Sequence, residues 1–396
     1  MSIRMEIASN THSSRYSILL SYSLGLADPS SNRSRLDQAR PLFDTVTPEE
    51  AMILVDSIMK NIQDINLVKI IVTRMLHSFT KSLTREHRPF KRDFPVIEHL
   101  LERNDAIQEH LDALKPLVTR MNRGVLSQAD RKIIHDTLEK LGGLTDHYTH
   151  KELVLFPVIE RFVEESRCVQ LMWAIHDDIR KTLKLLQAEI IQEAEHISEA
   201  NRLFGQLFFD MRSMVFREEQ VLLPAILTRI PKDMLISLSE NQQAGGQVSA
   251  SDARVSTQTV DLITGNPTAQ QLIQIFNNLP VDITLVDAQD KVVYFNTPEH
   301  RIFPRTKAVV GRSVQNCHPP KSMHIVQQIL DSFRAKRETS AEFRITVHGR
   351  YIRITYQAIY SESGDYEGTL EVSQDITEVQ RLKGEKRLLD WDETQN

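Results

Sequence analysis

The chain is poor in cysteine: its 396 residues include only Cys168 and Cys317. Two thiols so far apart make no disulfide framework, and they fit a reducing cytosol. Long apolar runs are missing as well. The best one near the N-terminus, Ile18 to Ala27, is broken by Ser and Tyr. It falls far short of the roughly 20 residues that span a bilayer, and Arg15 ahead of it makes only a weak signal-peptide pattern. Positive charge is not in excess, because 48 Lys and Arg face 53 Asp and Glu for a net charge of -5. Without a basic arm or an RNA-binding aromatic signature, nucleic acid is not an expected partner, and neither is a membrane. A cytoplasmic protein is expected.

What remains is ordinary globular composition, 41% hydrophobic and 26% charged, at a length that implies two to three domains. Residues 1–44 are rich in Ser, Asn and Arg and show no sustained period, which predicts a mobile lead segment. Thr47-Pro-Glu-Glu50 then offers a cap, a proline at the first helical position and two acids against the dipole. Together with the helical spacing of Leu67, Ile70, Ile71, Met75 and Phe79, this predicts a small helical unit over 45–90.

Four long amphipathic segments follow, at 95–122, 127–163, 167–196 and 199–229, and they predict a four-helix bundle over 91–236. Gly142–Gly143 should bend the second segment, and Pro157 and Pro224 should kink or end two helices. The polar stretch around Gln242, Gly245, Gly246 and Ser249 marks a linker over 237–268. Beyond it the period changes. Short strands are expected at 281–286, 292–296, 341–347, 351–358 and 368–373, with short helices over 297–335. That order predicts an α+β domain over 269–380 with a five-stranded antiparallel sheet. A short final helix is expected over 378–391, and 381–396 form a C-terminal tail.

Within the bundle segments, His147, Glu152, His176, Glu218 and Glu219 form a constellation of imidazoles and carboxylates. Such groups, projecting inward from facing helices, can hold a metal, and the mixture suits iron or manganese. His147 and Glu152 lie about 140° apart on an α-helix, so both reach only a wide inner face. Other roles stay open. His147 and His150 also fit capping or surface positions, Lys151–Glu152 and Glu218–Glu219 fit solvated helix faces, and His176, after the apolar run Leu171–Ile175, fits a hydrogen-bonded core histidine.

Three phrases carry a family resemblance: His147-Tyr-Thr-His-Lys-Glu-Leu-Val-Leu-Phe-Pro157, Met172-Trp-Ala-Ile-His-Asp-Asp-Ile-Arg180 and Phe216-Arg-Glu-Glu-Gln-Val-Leu-Leu-Pro224. They resemble hemerythrin-like HHE cation-binding bundles. In the second half, Leu279-Pro-Val-Asp-Ile-Thr-Leu-Val-Asp-Ala-Gln-Asp-Lys-Val-Val-Tyr-Phe-Asn296 resembles the start of a PAS domain, and Gly368-Thr-Leu-Glu-Val-Ser-Gln-Asp-Ile-Thr377 its closing strand. The resemblance implies a multidomain protein with an all-α hemerythrin-like bundle followed by an α+β PAS domain.

For the bundle, it implies non-heme iron held by His147, Glu152, His176 and Glu218 or Glu219, sensing oxygen, nitric oxide, redox state or iron. Two departures reduce that set, since Phe94-Pro-Val96 stands where such bundles have His-Pro-Val, and Met214 stands where the last helix has its His. A full dinuclear centre is therefore not expected. A mononuclear site, one completed by His99, His110 or His150, and a bundle without metal all remain open.

In the PAS segment, Cys317 and His318 are candidate cofactor ligands, heme being the sharpest assignment and a proline-fixed loop the plain one. The expected function is a cytoplasmic sensor or regulatory protein. Its partners would be a diatomic gas or metal ion, a downstream signalling protein and a second copy bound through the PAS domain. The alternatives are a non-heme iron enzyme, for which no acid–base or nucleophile motif is present, and a metal-free interaction scaffold.

Overall fold

The computed structural model describes residues 2–28, 32–85, 94–191, 197–243, 259–347 and 349–385. The chain divides into two compact units, 1–246 together with 316–323, and 247–315 together with 324–396.

The first unit is all helical. It opens with α1 (Ser2–Gly25), α2 (Arg33–Ala39) and a 3-10 turn (Arg40–Thr45), where a mobile segment is expected from sequence. The Ser-rich composition hides an apolar stripe: Leu19, Tyr22 and Leu26, three and four residues apart, are all buried. Polar anchors reinforce it. Arg15 pairs with Glu50 at 2.6 Å, and the Tyr22 hydroxyl lies 2.7 Å from that of Ser78.

Helix α3 (Pro48–Asn61) starts at the expected Thr47 cap, and Glu50 adds a capping box, Thr47 and Glu50 each serving the other's backbone N–H. With α4 (Ile65–Ser78) and α5 (Thr80–Leu83), it forms the described part of the region expected over 45–90; residues 86–93 lie outside the described ones. Helices α3 and α4 pack on the bundle helix α10 (Cys168–Ile191).

The bundle itself is α6 (Pro95–Asn122), α7 (Gln128–Leu144) continued by α8 (Asp146–His150) and α9 (Phe156–Phe162), then α10, then α11 (Ile197–Arg217) continued by α12 (Leu223–Leu227). Neighbours run α6 to α7 to α10 to α11 and back to α6, which closes a four-helix ring. Its core stripe on α6 is Val96, Ile97, Leu100, Leu101, Asn104, Ile107, Leu111 and Leu114, all buried, with one polar residue among them. Helix α7 stops just after Gly142–Gly143, where a bend is expected. Helix α13 (Lys232–Gln243) runs into the expected linker, of which 244–258 lie outside the described residues.

In the second unit, α14 (Ala269–Asn278) precedes β1 (Asp282–Asp287) and β2 (Val292–Phe295). Helix α15 (Pro320–Arg334) then leads to β3 (Ser340–Val347), β4 (Arg350–Tyr360) and β5 (Tyr366–Asp375). The sheet order is β2-β1-β5-β4-β3, antiparallel throughout. Alternation aims one face inward: Asp282, Thr284 and Val286 on β1, Thr369, Glu371 and Ser373 on β5, Ile352 and Ile354 on β4. The helix expected over 378–391 is only a 3-10 turn, Val379–Arg381; residues 386–396 lie outside the described ones.

Candidate functional site

Two π-helical turns shape the bundle centre, Lys151–Leu155 between α8 and α9 and Glu218–Leu222 between α11 and α12. Both precede a proline at the second position of the next helix, Pro157 or Pro224. Proline brings no N–H and its ring crowds the carbonyl four residues back, so the turn widens rather than continuing as α. Phe156 N–H accordingly donates to the Lys151 carbonyl, and Leu223 N–H to that of Glu218. Superposing the prolines matches the two phrases residue for residue. Glu152 then corresponds to Glu219, Lys151 to Glu218 and His147 to Met214.

All five sequence-predicted residues are buried: His147, Glu152, His176, Glu218 and Glu219. Solvated-face and surface roles are thereby excluded for them. Glu152 accepts from Arg180 Nη2 through both oxygens at 2.8 Å and lies 2.7 Å from His176 Nδ1. His176 is fully enclosed and stacked on Tyr148, ring centroids 4.1 Å apart. Its Nε2 is 4.0 Å from Glu218, too far for a hydrogen bond, and has no other partner. His147 Nε2 is likewise buried without a partner. His99, His110 and His150 are half-buried.

Three residues that the sequence reading passed over complete the centre. Lys151, for which a solvated face is one open alternative in the sequence, is 1% exposed; its ammonium donates to Glu218 and sits 4.6 Å from the Tyr148 ring centroid. Asn104, the polar residue in the α6 stripe, donates to Glu218 at 3.0 Å and to Glu219 at 3.4 Å. Arg180, one helical turn after His176, is the third. Signals for them existed in the stripe, in the i, i+4 spacing and in the match between the two proline phrases.

Burial pushes the Glu218 carboxyl up, but Lys151, His176 and His147 together outweigh it and hold Glu218 well below the carboxylate range. Burial pushes the Lys151 ammonium down against the opposing pull of Glu218. His147 is pushed down to about 2 by burial, helped by Lys151, so its imidazole is neutral.

The donors fit an iron ion poorly. One Glu218 oxygen receives Lys151 and the other Asn104, while both Glu152 oxygens receive Arg180. Around the centre, the buried polar atoms without a hydrogen-bond partner are the two Nε2 atoms, Asn104 Oδ1 and the Tyr148 hydroxyl. A hard cation would need the carboxylates that the protein's own cations occupy. Among the described residues, the group of three or more His, Cys, Asp or Glu with ligand atoms within 4.8 Å of one another is His135, Asp136 and Glu139, which is largely exposed on α7.

The second unit holds its own buried polar cluster, set by strand register. Glu371 pairs across β5 with Thr284 on β1 and Tyr356 on β4. Asp282 accepts the N–H groups of Ile302 and Phe303 at 3.0 Å each and lies 3.7 Å from Arg301; Arg305 lies 3.7 Å from Glu371. Burial lifts the Asp282 carboxyl and lowers Arg301 to about 10. Asp282 Oδ1, Arg305 Nε, Thr306 Oγ1 and Ser373 Oγ are buried without partners. Cys317 closes a 3-10 turn (Val314–Cys317), with His318 next in the chain; both are half-buried, and neither cysteine is in a disulfide.

Comparison with known proteins agrees with this division. Residues 78–226 match the hemerythrin HHE cation binding domain, and residues 272–377 match a PAS domain. No curated protein matches the chain. Similar solved structures include a C-terminal domain from Streptococcus mutans, 30% identical over 32% of this chain and 98% of that one, with a TM-score of 0.31. A PAS domain from Colwellia psychrerythraea is 19% identical over 28% and 97%, TM-score 0.22. A sensory box sensor histidine kinase from Vibrio cholerae is 17% identical over 27% and 91%, TM-score 0.22. No described helix is long and apolar enough to cross a membrane. This single chain therefore joins a hemerythrin HHE cation-binding domain to a PAS domain.

Proposed function

We propose that the chain is a sensory or regulatory protein whose PAS domain takes a small polar ligand and passes the change to a downstream signalling protein. The observation that carries this reading is a set of four buried polar atoms without partners, Asp282 Oδ1 and Ser373 Oγ on the inner face of the PAS sheet and Arg305 Nε and Thr306 Oγ1 in the segment after β2. Unpaired buried polar groups are costly, and a ligand with matching donors and acceptors removes the cost. The test is mass spectrometry of small molecules released on denaturing the full chain, with Arg305→Met as control. A ligand retained by the native chain and lost from the variant supports the reading; no retained ligand, and no small polar compound that raises the melting temperature, contradicts it.

Iron-based sensing of oxygen, nitric oxide, redox state or iron in the bundle is a second reading, favoured by the bare Nε2 atoms of His147 and His176. It has the Lys151–Glu218 pair against it. Heme at Cys317 or His318 is a third, and a Soret band in the full chain that disappears in His318→Ala would support it.

A further inference from the structure

The two π turns pose a question of charge. At one of them the inward pair is Glu218–Glu219; at the matching positions of the other it is Lys151–Glu152. Two acidic turns facing each other in a closed bundle would demand a cation. Here one of the four positions supplies it.

We infer that the Lys151 ammonium is the cation of this bundle, an internal ion pair with Glu218 that closes the centre against a metal ion. Lys151 is 1% exposed and Glu218 3%, so the contact is shielded from water and from salt. The ammonium is also seated over the Tyr148 ring at 4.6 Å, a second interaction a buried cation can use. Glu218's other oxygen is held by Asn104 at 3.0 Å, so the carboxylate is fixed in place. Arg180 neutralises Glu152 in the same way at the other end of His176. An entering divalent ion would meet two fixed positive charges and no uncommitted oxygen on Glu152 or Glu218. The atoms around the centre left without a hydrogen-bond partner once the ammonium is in place are the Nε2 atoms of His147 and His176, Asn104 Oδ1 and the Tyr148 hydroxyl.

The inference predicts a gain of function. In the full chain, Lys151→Glu exchanges the ammonium for a carboxylate beside Glu218, His147 and His176, and should bind cobalt(II) with ligand-field absorption and a metal-dependent rise in melting temperature. Adding His176→Phe should remove both signals. The native chain should show neither. Stoichiometric cobalt(II) or iron(II) in the native chain, lost in His176→Phe, would overturn the inference, as would a folded Lys151→Glu that ignores the metal.

If Lys151→Glu does not fold, a stability cycle decides instead. Lys151→Met and Glu218→Gln should each lower the melting temperature by more than the double variant does, because each single change strands its partner and the double strands neither. Additive losses in the double variant would overturn the ion pair as the organising contact.

Discussion

Asn104 shows how much one inward polar residue carries. It is the polar break in an apolar stripe and donates to both acids of the α11–α12 turn. Asn104→Leu fills the space but strands Glu218 Oε2, and we expect a loss of about 1–3 kcal/mol in urea unfolding of the full chain. His147 makes a prediction with a sign. Its ordinary value of 6.5 falls to about 2 in the fold, so the unfolded chain takes up a proton that the folded chain refuses. Stability is therefore lost as pH falls below 6.5, by about 1.4 kcal/mol for each pH unit from this group. His147→Phe should flatten that slope between about pH 6 and about pH 4; an unchanged slope would mean that His147 is not held neutral. At this scale the sequence was informative for chemistry and less so for charge. His147, Glu152, His176, Glu218 and Glu219 are legible because imidazoles and carboxylates stand out in helix-patterned segments. Lys151 was not, because a lysine beside a glutamate also fits an ion-paired solvated face, even though its i, i+4 spacing from His147 puts it on the same side of the helix.

The elements follow the same division between pattern and exception. Helix α6 begins and ends where its periodicity predicts, and the strands lie within a few residues of their alternating patterns. The N-terminal helix escaped because its stripe of Leu19, Tyr22 and Leu26 is interleaved with Ser and Gly, whose composition suggests disorder. The π turns escaped because proline signals a kink without saying that two charged residues will be turned inward. Gly368 offers the clearest test of an element. A Cβ there would stand 2.1 Å from the Val286 carbonyl oxygen on β1, which is backbone and cannot step aside. Gly368→Ala should force β5 off β1 and lower the melting temperature of the PAS sheet, and the amides of Thr284 and Val286, which face β5, should exchange faster; unchanged exchange would refute the close packing of these strands.

As a whole molecule, the chain holds two units, each with its own buried core and buried polar cluster. The sensory reading draws on the pairing of the two domains and on the unpartnered polar atoms beside the PAS sheet, while in the bundle Lys151 and Arg180 pair with Glu218 and Glu152. Gly368→Ala and Lys151→Met should therefore act on different thermal transitions, the first on the PAS unit and the second on the helical unit; one common shift would show that the two unfold together. The role of Lys151 as the bundle's cation is tested most directly by the metal content of the native full chain purified from iron-replete cells. It predicts no stoichiometric iron or other transition metal; stoichiometric iron that depends on His176 and Glu218 would contradict it.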